Sequence, residues 1–388
     1  NATGLDIYVD NPCRNLGGNN AKWHFGSTTA RWIGGETGEM TNGLNWSSGA
    51  VPDANTRIVF DTTATMTIPE GETVIAREIV AQSGTVTLKG AGSLATAGAF
   101  VMEDGATVVL DVPLTVNGDA EIRNGAKISH TSCGTSAATT NRLMMTVNGD
   151  LTIAVGGSID ATGKGWTNGA GPGDIVPAGT PALAASHGGI GAEGTPCYGS
   201  TFHPITPGSG SKRALGATGG GVIRLVTSGT LTVNGLVAAN AGTISGFNGS
   251  GGSIWINAGS LAGSGAIKAN GGGITDTTWG AYHGGGGRLA VYLSQAANLD
   301  AFTGTVDVGG SRVTAAGNEQ DPTGGAGTFY YETANDAEKG GTLVIDAQCS
   351  SVCSRGTDLP VNGNPQATGD DDCAANYRNV KIVVKNGG

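Results

Sequence analysis

The stretch GGGVIRLVTSGTLTVNG, from Gly219 to Gly235, contains the two patterns that decide the fold. A run of glycines leads into a β-branched strand, and a second short strand ends in an Asn-Gly turn. The glycine run with its strand recurs as GGSIWIN from Gly251, GGGGRLAVYL from Gly284 and GGAGTFYY from Gly324, so the starts differ by 32, 33 and 40 residues. Periods of this size are typical of solenoids, propellers and other repeat arrays.

The second pattern extends the repeat toward the N-terminus. LTVNG occurs at Leu114–Gly118 and at Leu231–Gly235, and MTVNG occurs at Met145–Gly149, 31 residues after the first copy. From Arg57 onward, β-branched runs of four to six residues alternate with glycine or Asn-Gly turns, which predicts short strands. These strands are too closely spaced for a sandwich, whose turns come about every 8–12 residues. Propellers usually carry periodic aromatic motifs, whereas aromatic residues make up only 5% of this chain.

Composition agrees with a solenoid of strands. Glycine accounts for 70 of the 388 residues, against an average usage of about 7%. Interior glycines would cost a helix about 1 kcal/mol each, whereas the corners between stacked coils need a positive φ that glycine adopts easily. We therefore predict an all-β protein, a parallel β-helix that is right-handed by the general rule for parallel crossovers. Strand alternation predicts inward Ile254, Ile256, Leu289, Val291 and Leu293, and outward Trp255, Arg288 and Tyr292.

Charge and cysteine content restrict the partners and the compartment. The net charge is −10 and the basic residues form no stripe, which argues against nucleic acid as a partner. No eighteen apolar residues run together, so we predict no membrane span. Six cysteines without metal-ligand spacing indicate disulfides in an oxidising, extracellular compartment, with fifteen connectivities open. The disulfide candidates are Cys13, Cys133, Cys197, Cys349, Cys353 and Cys373.

Several segments resemble the glycine-rich repeats of large secreted bacterial surface proteins of the adhesin type. They are SHGGIG from Ser186, GATGGGVIRLVTSGTLTVNGLVAANAG from Gly216, GSGGSIWINAGSLAGSGAIKANGGG from Gly249 and HGGGGRLAVYL from His283. The resemblance covers roughly residues 148–347 and implies a parallel β-helix at the cell surface, with no particular chemistry. The N-terminal W-x-G and NW-x-x-G-x-x-P elements, which contain Trp32 and Trp46, resemble the segment that precedes the β-helix in secreted adhesins.

These patterns predict three regions. Residues 1–55 form an N-terminal cap with a first strand, because an open solenoid end would expose core and strand edges. Residues 56–347 form the β-helix body, from which a long loop leaves at about 164–216. Residues 348–388 form a cysteine-containing excursion followed by a terminal strand.

Catalytic signals in the chain are weak. A glycoside hydrolase needs two carboxylates beside the scissile bond, and Asp370–Asp372 offers only an acidic loop, which is also a weak calcium candidate. His187 and His283 lie in His-Gly-Gly contexts that approach the Gly-His-Gly element of polygalacturonase-like enzymes, but the companion elements are missing. The cations that a lyase could use are scattered, and we expect the outward strand arginines to be solvated. They are Lys212, Arg213, Arg224 and Arg288. We therefore predict no catalytic residue, cofactor or metal site.

The two ends of the chain carry complementary amphipathic strands. The first strand has Asp6 and Asp10 on one face, and the last has Lys381 and Lys385 at the same four-residue spacing. Opposite charges across paired strands contribute roughly 0.2–1 kcal/mol per pair. We therefore hypothesise head-to-tail subunit contacts that use these residues together with Ile7 and Ile382. The alternatives are that each strand caps its own end of the solenoid, or that the chain is a piece of a longer array.

Taken together, the sequence predicts a secreted structural or adhesive β-helical protein of the cell surface or extracellular matrix, whose partners are other copies of itself or a surface polysaccharide. The alternative is a carbohydrate-active enzyme or a carbohydrate-binding solenoid that works on the lateral face near the 164–216 loop.

Overall fold

The computed structural model describes residues 7–10, 23–136, 138–174, 184–191, 196–211, 217–242, 248–272, 283–310, 324–347, 356–357, 359 and 377–386, with the backbone alone for residues 7–10 and 23–27. These residues contain 26 strands, β1–β26 in chain order, and no α-helix. Two single 3-10 turns lie at Gly43–Asn45 and Pro172–Asp174. In the described residues, no helix has the length and apolar character needed to cross a bilayer.

The strands stack into three ladders of successive coils. Ladder A contains β1 (Ile7–Asp10), β2 (Trp23–Arg31), β4 (Thr56–Phe60), β7 (Glu78–Ala81), β10 (Phe100–Met102), β13 (Ala120–Ile122), β16 (Leu151–Ile153) and the second halves of β18 (Val222–Val233) and β20 (Ser253–Ala262).

Ladder B contains the first halves of β18 and β20. Its other strands are β6 (Thr73–Ala76), β9 (Ser93–Thr96), β12 (Leu114–Val116), β15 (Leu143–Val147), β22 (Arg288–Leu293), β24 (Thr328–Glu332), β25 (Thr342–Asp346) and β26 (Lys381–Lys385).

Ladder C is a separate nine-stranded sheet. It contains β3 (Thr37–Glu39), β5 (Ala64–Ile68), β8 (Thr85–Gly90), β11 (Thr107–Leu110), β14 (Lys127–Ser129), β17 (Ser158–Asp160), β19 (Leu236–Ala238), β21 (Ala266–Lys268) and β23 (Thr305–Asp307). Every pairing in the three ladders is parallel except the one between β24 and β25. The all-β, parallel solenoid expected from the sequence is thereby confirmed.

The glycine-run repeat is in register through four coils. Val222 is paired with Ser253, Ser253 with Arg288, and Arg288 with Thr328. The 31-residue spacing also matches a coil, because Leu114 is paired with Met145. The third copy of the LTVNG element lies on the neighbouring ladder, since its Leu231 is paired with Leu151.

The core fills the channel between the three ladders. The inward positions expected from alternation are buried, including Ile254, Ile256, Leu289 and Val291 at 0% exposure. Each of these side chains stacks on its equivalent in the next coil, as Ile256 does on Val291. A stack of this kind is stabilised mainly by contacts between neighbouring coils.

Glycines serve two purposes that the sequence did not separate. Turn glycines such as Gly71 and Gly105 have φ of +79° and +81°, as expected for coil corners. The glycine runs instead permit close approach of backbones. A Cβ on Gly220, Gly251 or Gly286 would overlap a carbonyl oxygen at the end of ladder C in the same coil and an amide nitrogen of the next coil. The run is therefore a point where three backbone segments touch.

The two ends of the solenoid differ from its middle. At the N-terminal end, Trp32 and Trp46 lie in the core with ring centroids 5.3 Å apart, in an edge-to-face arrangement. Strands β2 and β3 already belong to the ladders, so hydrogen bonding between coils begins before Thr56. At the other end, β25 reverses direction against β24, and β26 follows β25 in parallel.

Candidate functional site

The described residues of the predicted 164–216 loop (164–174, 184–191 and 196–211) lie across the outer face of ladder B and are here called the strap. Phe202 of the strap packs edge-to-face on Tyr330 at 4.8 Å and lies in a buried cluster with Ala290 and Leu343. The amides of Gly188 and Gly189 both donate to Gly286 O at 2.9 Å. The strap is thus joined to the coils by apolar packing and by main-chain hydrogen bonds.

Arg288 is the central anchor of the strap. Its position on β22 is outward, as predicted, but the expectation that it is solvated is wrong, because the strap covers it completely. Nε donates to Tyr198 O at 2.7 Å, Nη1 to the hydroxyls of Thr201 and Thr328 at 3.2 Å, and Nη2 to His187 O at 3.5 Å. Among the described residues, no carboxylate forms an ion pair with this guanidinium. Arg288 therefore holds the strap through neutral acceptors.

His187 is a second anchor. Its Nδ1 lies 2.7 Å from Gly251 O and its Nε2 3.1 Å from Thr206 Oγ1, and its ring lies 4.5 Å from that of Tyr198. Burial, with the nearby Arg288 charge, lowers the pKa of His187 to about 3. The neutral ring therefore donates from Nδ1 to the carbonyl and accepts at Nε2. Both nitrogens are used for structure, so His187 is unsuited to proton transfer.

The other candidate groups do not converge on a reaction centre. His283 is buried, and burial lowers its pKa to about 4. Lys212, Arg213 and Asp370–Asp372 lie outside the described residues. Within the described part, no group of three histidine, cysteine or acidic side chains could hold a metal ion.

Aromatic and cationic side chains continue the outer face beside the strap. The guanidinium of Arg224 lies 3.8 Å from the ring centroid of Trp255, and His203 of the strap lies 4.9 Å from the same ring. Tyr292 donates from its hydroxyl to Phe202 O at 2.8 Å, and its ring is stacked near His203 at 6.2 Å. Desolvation lowers the pKa of Arg224 to about 10, within the range where it stays protonated at neutral pH.

A solvent-open groove of about 390 Å³ lies next to this cluster. Its floor follows one register column of ladder B, in which Asn257, Tyr292 and Glu332 succeed one another. Glu332 accepts from the Tyr330 hydroxyl at 2.6 Å and from Lys339 N at 2.8 Å, both at Oε1. The groove residues are Val226, Thr227, Ser228, Asn257, Ala258, Tyr292, Leu293, Ser294, Glu332 and Thr333.

The sequence predicts that Tyr292 is outward, but it contains no motif that indicates a groove formed by Asn257, Tyr292 and Glu332. Asn257, Tyr292 and Glu332 each lie four residues after the paired start of a ladder B strand, at Ser253, Arg288 and Thr328. Aligning the glycine runs would have placed them in one column. The three residues share the same four-residue offset from the start of their strands, but no two of them are of the same type.

The residues predicted to join subunits lie in edge strands. Asp6 is outside the described residues, and Ile7 and Asp10 belong to β1, whose backbone pairs with β2. Lys381, Ile382 and Lys385 belong to β26, which pairs with β25 of the same chain. Lys385 Nζ lies 3.2 Å from a carboxylate oxygen of Asp346, and Ile382 is 48% exposed.

The described cysteines are buried in the strap region. Cys133 lies in a small cluster with Trp166 and Tyr198, and its thiol is 3.5 Å from Asn141 O. Burial raises the pKa of this thiol to about 11. Cys197 is also buried. The other four disulfide candidates, Cys13, Cys349, Cys353 and Cys373, lie outside the described residues, so the disulfide prediction stays open.

Comparison with known proteins gives no relative from which a role could be transferred. No protein-family model matches the sequence, and searches of the curated proteins and of the solved structures find no match.

Proposed function

We propose that this protein is a secreted structural or adhesive component of the cell surface or extracellular matrix. The observation that carries the proposal is the attachment of the strap to ladder B. A buried arginine, a buried histidine and a Phe202–Tyr330 contact hold a long insertion flat on a stack of coils. A lateral face that is attached at these points suits presentation of a fixed surface to a partner.

The groove favours recognition over catalysis as the use of this face. A glycosidase needs an acid and a second carboxylate at about 5–10 Å. Among the described residues that line the groove, Glu332 is the single carboxylate, and no lysine or arginine faces it as a lyase base. A carbohydrate-binding face is therefore a better account of the groove than the alternative of a carbohydrate-active enzyme.

End-to-end assembly is a second candidate role, supported by the exposed terminal strand. In the described residues, β26 pairs on one edge only, and its side chains Ile382 and Val384 are 48% and 57% exposed. A cavity of about 270 Å³ at this end is lined by core side chains such as Phe302 and Phe329. Unpaired strand edges and uncovered core favour addition of another strand. Heterologous contacts of this kind extend into filaments when they do not close.

The reversal at β25 changes the geometry that such a contact would have. β26 runs antiparallel to β22 and β24, the strands of the coils before it. An incoming strand that continued the winding of the coils would therefore meet β26 in antiparallel orientation.

The proposed function also includes three predictions from the sequence: the right-handed winding of the coils, the N-terminal cap and the disulfides.

Immunogold labelling of the producing cells tests the proposed location. Label on the cell surface or in the surrounding matrix is the expected result, and label confined to the cytoplasm would refute the proposal.

Negative-stain microscopy tests assembly separately. We expect filaments of the full chain at high protein concentration and their loss on Val384→Glu. Val155→Glu is the matched control, because Val155 is 74% exposed but lies in the body of the solenoid. Single particles at every concentration would remove the assembly role and leave the adhesive one standing.

A further inference from the structure

The chemistry of the groove indicates the class of ligand that it would hold. Its polar groups are mostly acceptors or hydroxyls: the Glu332 carboxylate, the Asn257 amide oxygen and the hydroxyls of Ser228, Ser294 and Thr333. Asn257 Oδ1, in the outward column of the groove, is buried and has no hydrogen-bond partner in the described part of the chain. Buried polar atoms normally have a partner, so this oxygen lacks a donor that a ligand hydroxyl could supply.

The charge of the groove further restricts the class of ligand. Among the groove residues there is one acid and no lysine, arginine or histidine, and the chain as a whole has a net charge of −10. An anionic ligand such as a uronate or a sulfated sugar would meet repulsion from Glu332, and none of the lining residues carries a positive charge to offset it. A neutral ligand with many hydroxyl donors avoids that cost and satisfies the acceptors.

Shape and the aromatic residue point to a sugar. The groove volume of about 390 Å³ falls within the range of roughly 300–1,000 Å³ found for small-molecule sites. Tyr292 is held in place by its hydroxyl bond to Phe202 O, so its ring is a fixed apolar surface at the groove floor. Rigid aromatic surface combined with a few convergent polar groups is the usual make-up of a ligand site.

We propose that the groove on ladder B binds a sugar unit of a neutral glycan, with Tyr292 under the ring and with Asn257 and Glu332 accepting from its hydroxyls. Successive strands lie about 4.8 Å apart, so the column Asn257, Tyr292 and Glu332 spans about 10 Å along the coil stack. The assignment rests on the proposed adhesive role, to which it adds the chemical class of the partner.

Isothermal titration of the full chain with four probes tests the proposal. The probes are cellohexaose, maltohexaose and mannohexaose, which are neutral, and hexagalacturonate, which carries carboxylates. We expect at least one neutral probe to bind and hexagalacturonate to bind at least tenfold more weakly. Failure of all three neutral probes to bind at millimolar concentration, or tighter binding of hexagalacturonate, would overturn the assignment.

Two variants and a matched control locate the binding. Ser228→Tyr places bulk in the groove and should weaken binding at least tenfold, and Asn257→Ala should weaken it about three- to tenfold because one acceptor is lost. Thr85→Tyr adds the same bulk at an exposed position on ladder C and should bind like the wild type. Far-ultraviolet circular dichroism and the melting temperature verify that each variant is folded. Unchanged affinity in folded Ser228→Tyr would contradict the groove as the site.

The test of glycan binding and the test of the proposed function can fail independently of each other. Surface labelling of cells together with no glycan binding refutes the neutral-glycan assignment alone, whereas cytoplasmic labelling refutes the adhesive role whatever the groove binds.

Discussion

Replacing Arg288 with methionine should release the strap from ladder B. The substitution keeps a long unbranched side chain but removes every donor of the guanidinium, so Tyr198 O and the Thr328 hydroxyl lose a hydrogen-bond donor in a buried site. His187 O and the Thr201 hydroxyl each lose one donor but keep another, the Tyr198 amide and the Tyr377 hydroxyl. A buried polar group left without a partner costs about 1–3 kcal/mol. The substitution also removes a buried charge, which makes the net loss of stability smaller because desolvating a guanidinium is itself unfavourable. We expect a net loss of about 2–4 kcal/mol in the free energy that holds the strap closed.

Hydrogen–deuterium exchange followed by mass spectrometry measures this directly. The amides of Gly188 and Gly189 donate to Gly286 O, and the amide of Tyr198 donates to His187 O, so all three report on strap closure. A loss of 3 kcal/mol corresponds to exchange that is about a hundredfold faster, at 1.4 kcal/mol for each factor of ten. Amides of ladder C should be unaffected, because stability is divided among local units.

Arg224→Met is the matched control for this experiment. Arg224 is also outward on ladder B, but it stacks on Trp255 at 3.8 Å and makes its shortest hydrogen bond to Leu225 O, in its own strand. We expect a loss of about 1 kcal/mol and no change in strap exchange. Unchanged exchange at the three reporter amides in Arg288→Met would refute the anchoring role. Where Arg288→Met does not fold, Arg288→Lys, which keeps the charge but loses the fork, should show an intermediate increase in exchange.

Three further predictions concern the solenoid as a whole. Burial lowers the pKa of three histidines to about 4 or 3, so each contributes its full stabilisation above pH 6.5. This contribution falls by about 2 kcal/mol for each histidine as the pH drops to 5. A melting temperature that stays constant over this pH range would contradict the prediction. The three histidines are His130, His187 and His283. Gly286→Ala should destabilise the protein by more than 3 kcal/mol in urea unfolding, because the new Cβ overlaps Val308 O and the Gly327 amide. Gly340→Ala is the control and should cost under 1 kcal/mol, because its Cβ only touches Ala337 O. Ile256→Ala should cost about 2–5 kcal/mol in the same assay, since Ile256 is fully buried between coils, and a cost below 1 kcal/mol would contradict the stacked core.

The coil register could be predicted because it depends on local backbone geometry. Each glycine run marks a place where two coils touch, so equal offsets from the last glycine of each run, Gly221, Gly252, Gly287 and Gly327, give equal positions in the ladder. Alternation then predicts that Ile254 and Leu289 are inward. Both signals act within one coil and its neighbour, which is the range over which the sequence is informative in a solenoid.

The burial of Arg288 could not be predicted in the same way. Alternation indicates which side of a strand a residue faces, but not whether another part of the chain covers that side. The cover comes from Tyr198 and Thr201, which are 90 and 87 residues away in sequence. Nothing in the spacing of the strap indicates where it lies on the coils, so a residue expected to be solvated became the most enclosed charge of the described chain.

The contrast between Gly286 and the groove residues explains why function was harder to predict than fold. Positions that recur from coil to coil, such as the glycines and the inward Ile256 and Val291, recur because each coil must satisfy the same packing. The column of Val226, Asn257, Tyr292 and Glu332 has the same register but a different residue in every coil. Packing alone would accept a threonine at each of these outward positions, as Thr146 shows one coil earlier. Residues that break the repeat on the outer face are therefore the ones that the fold does not require, and in this molecule they gather beside the strap.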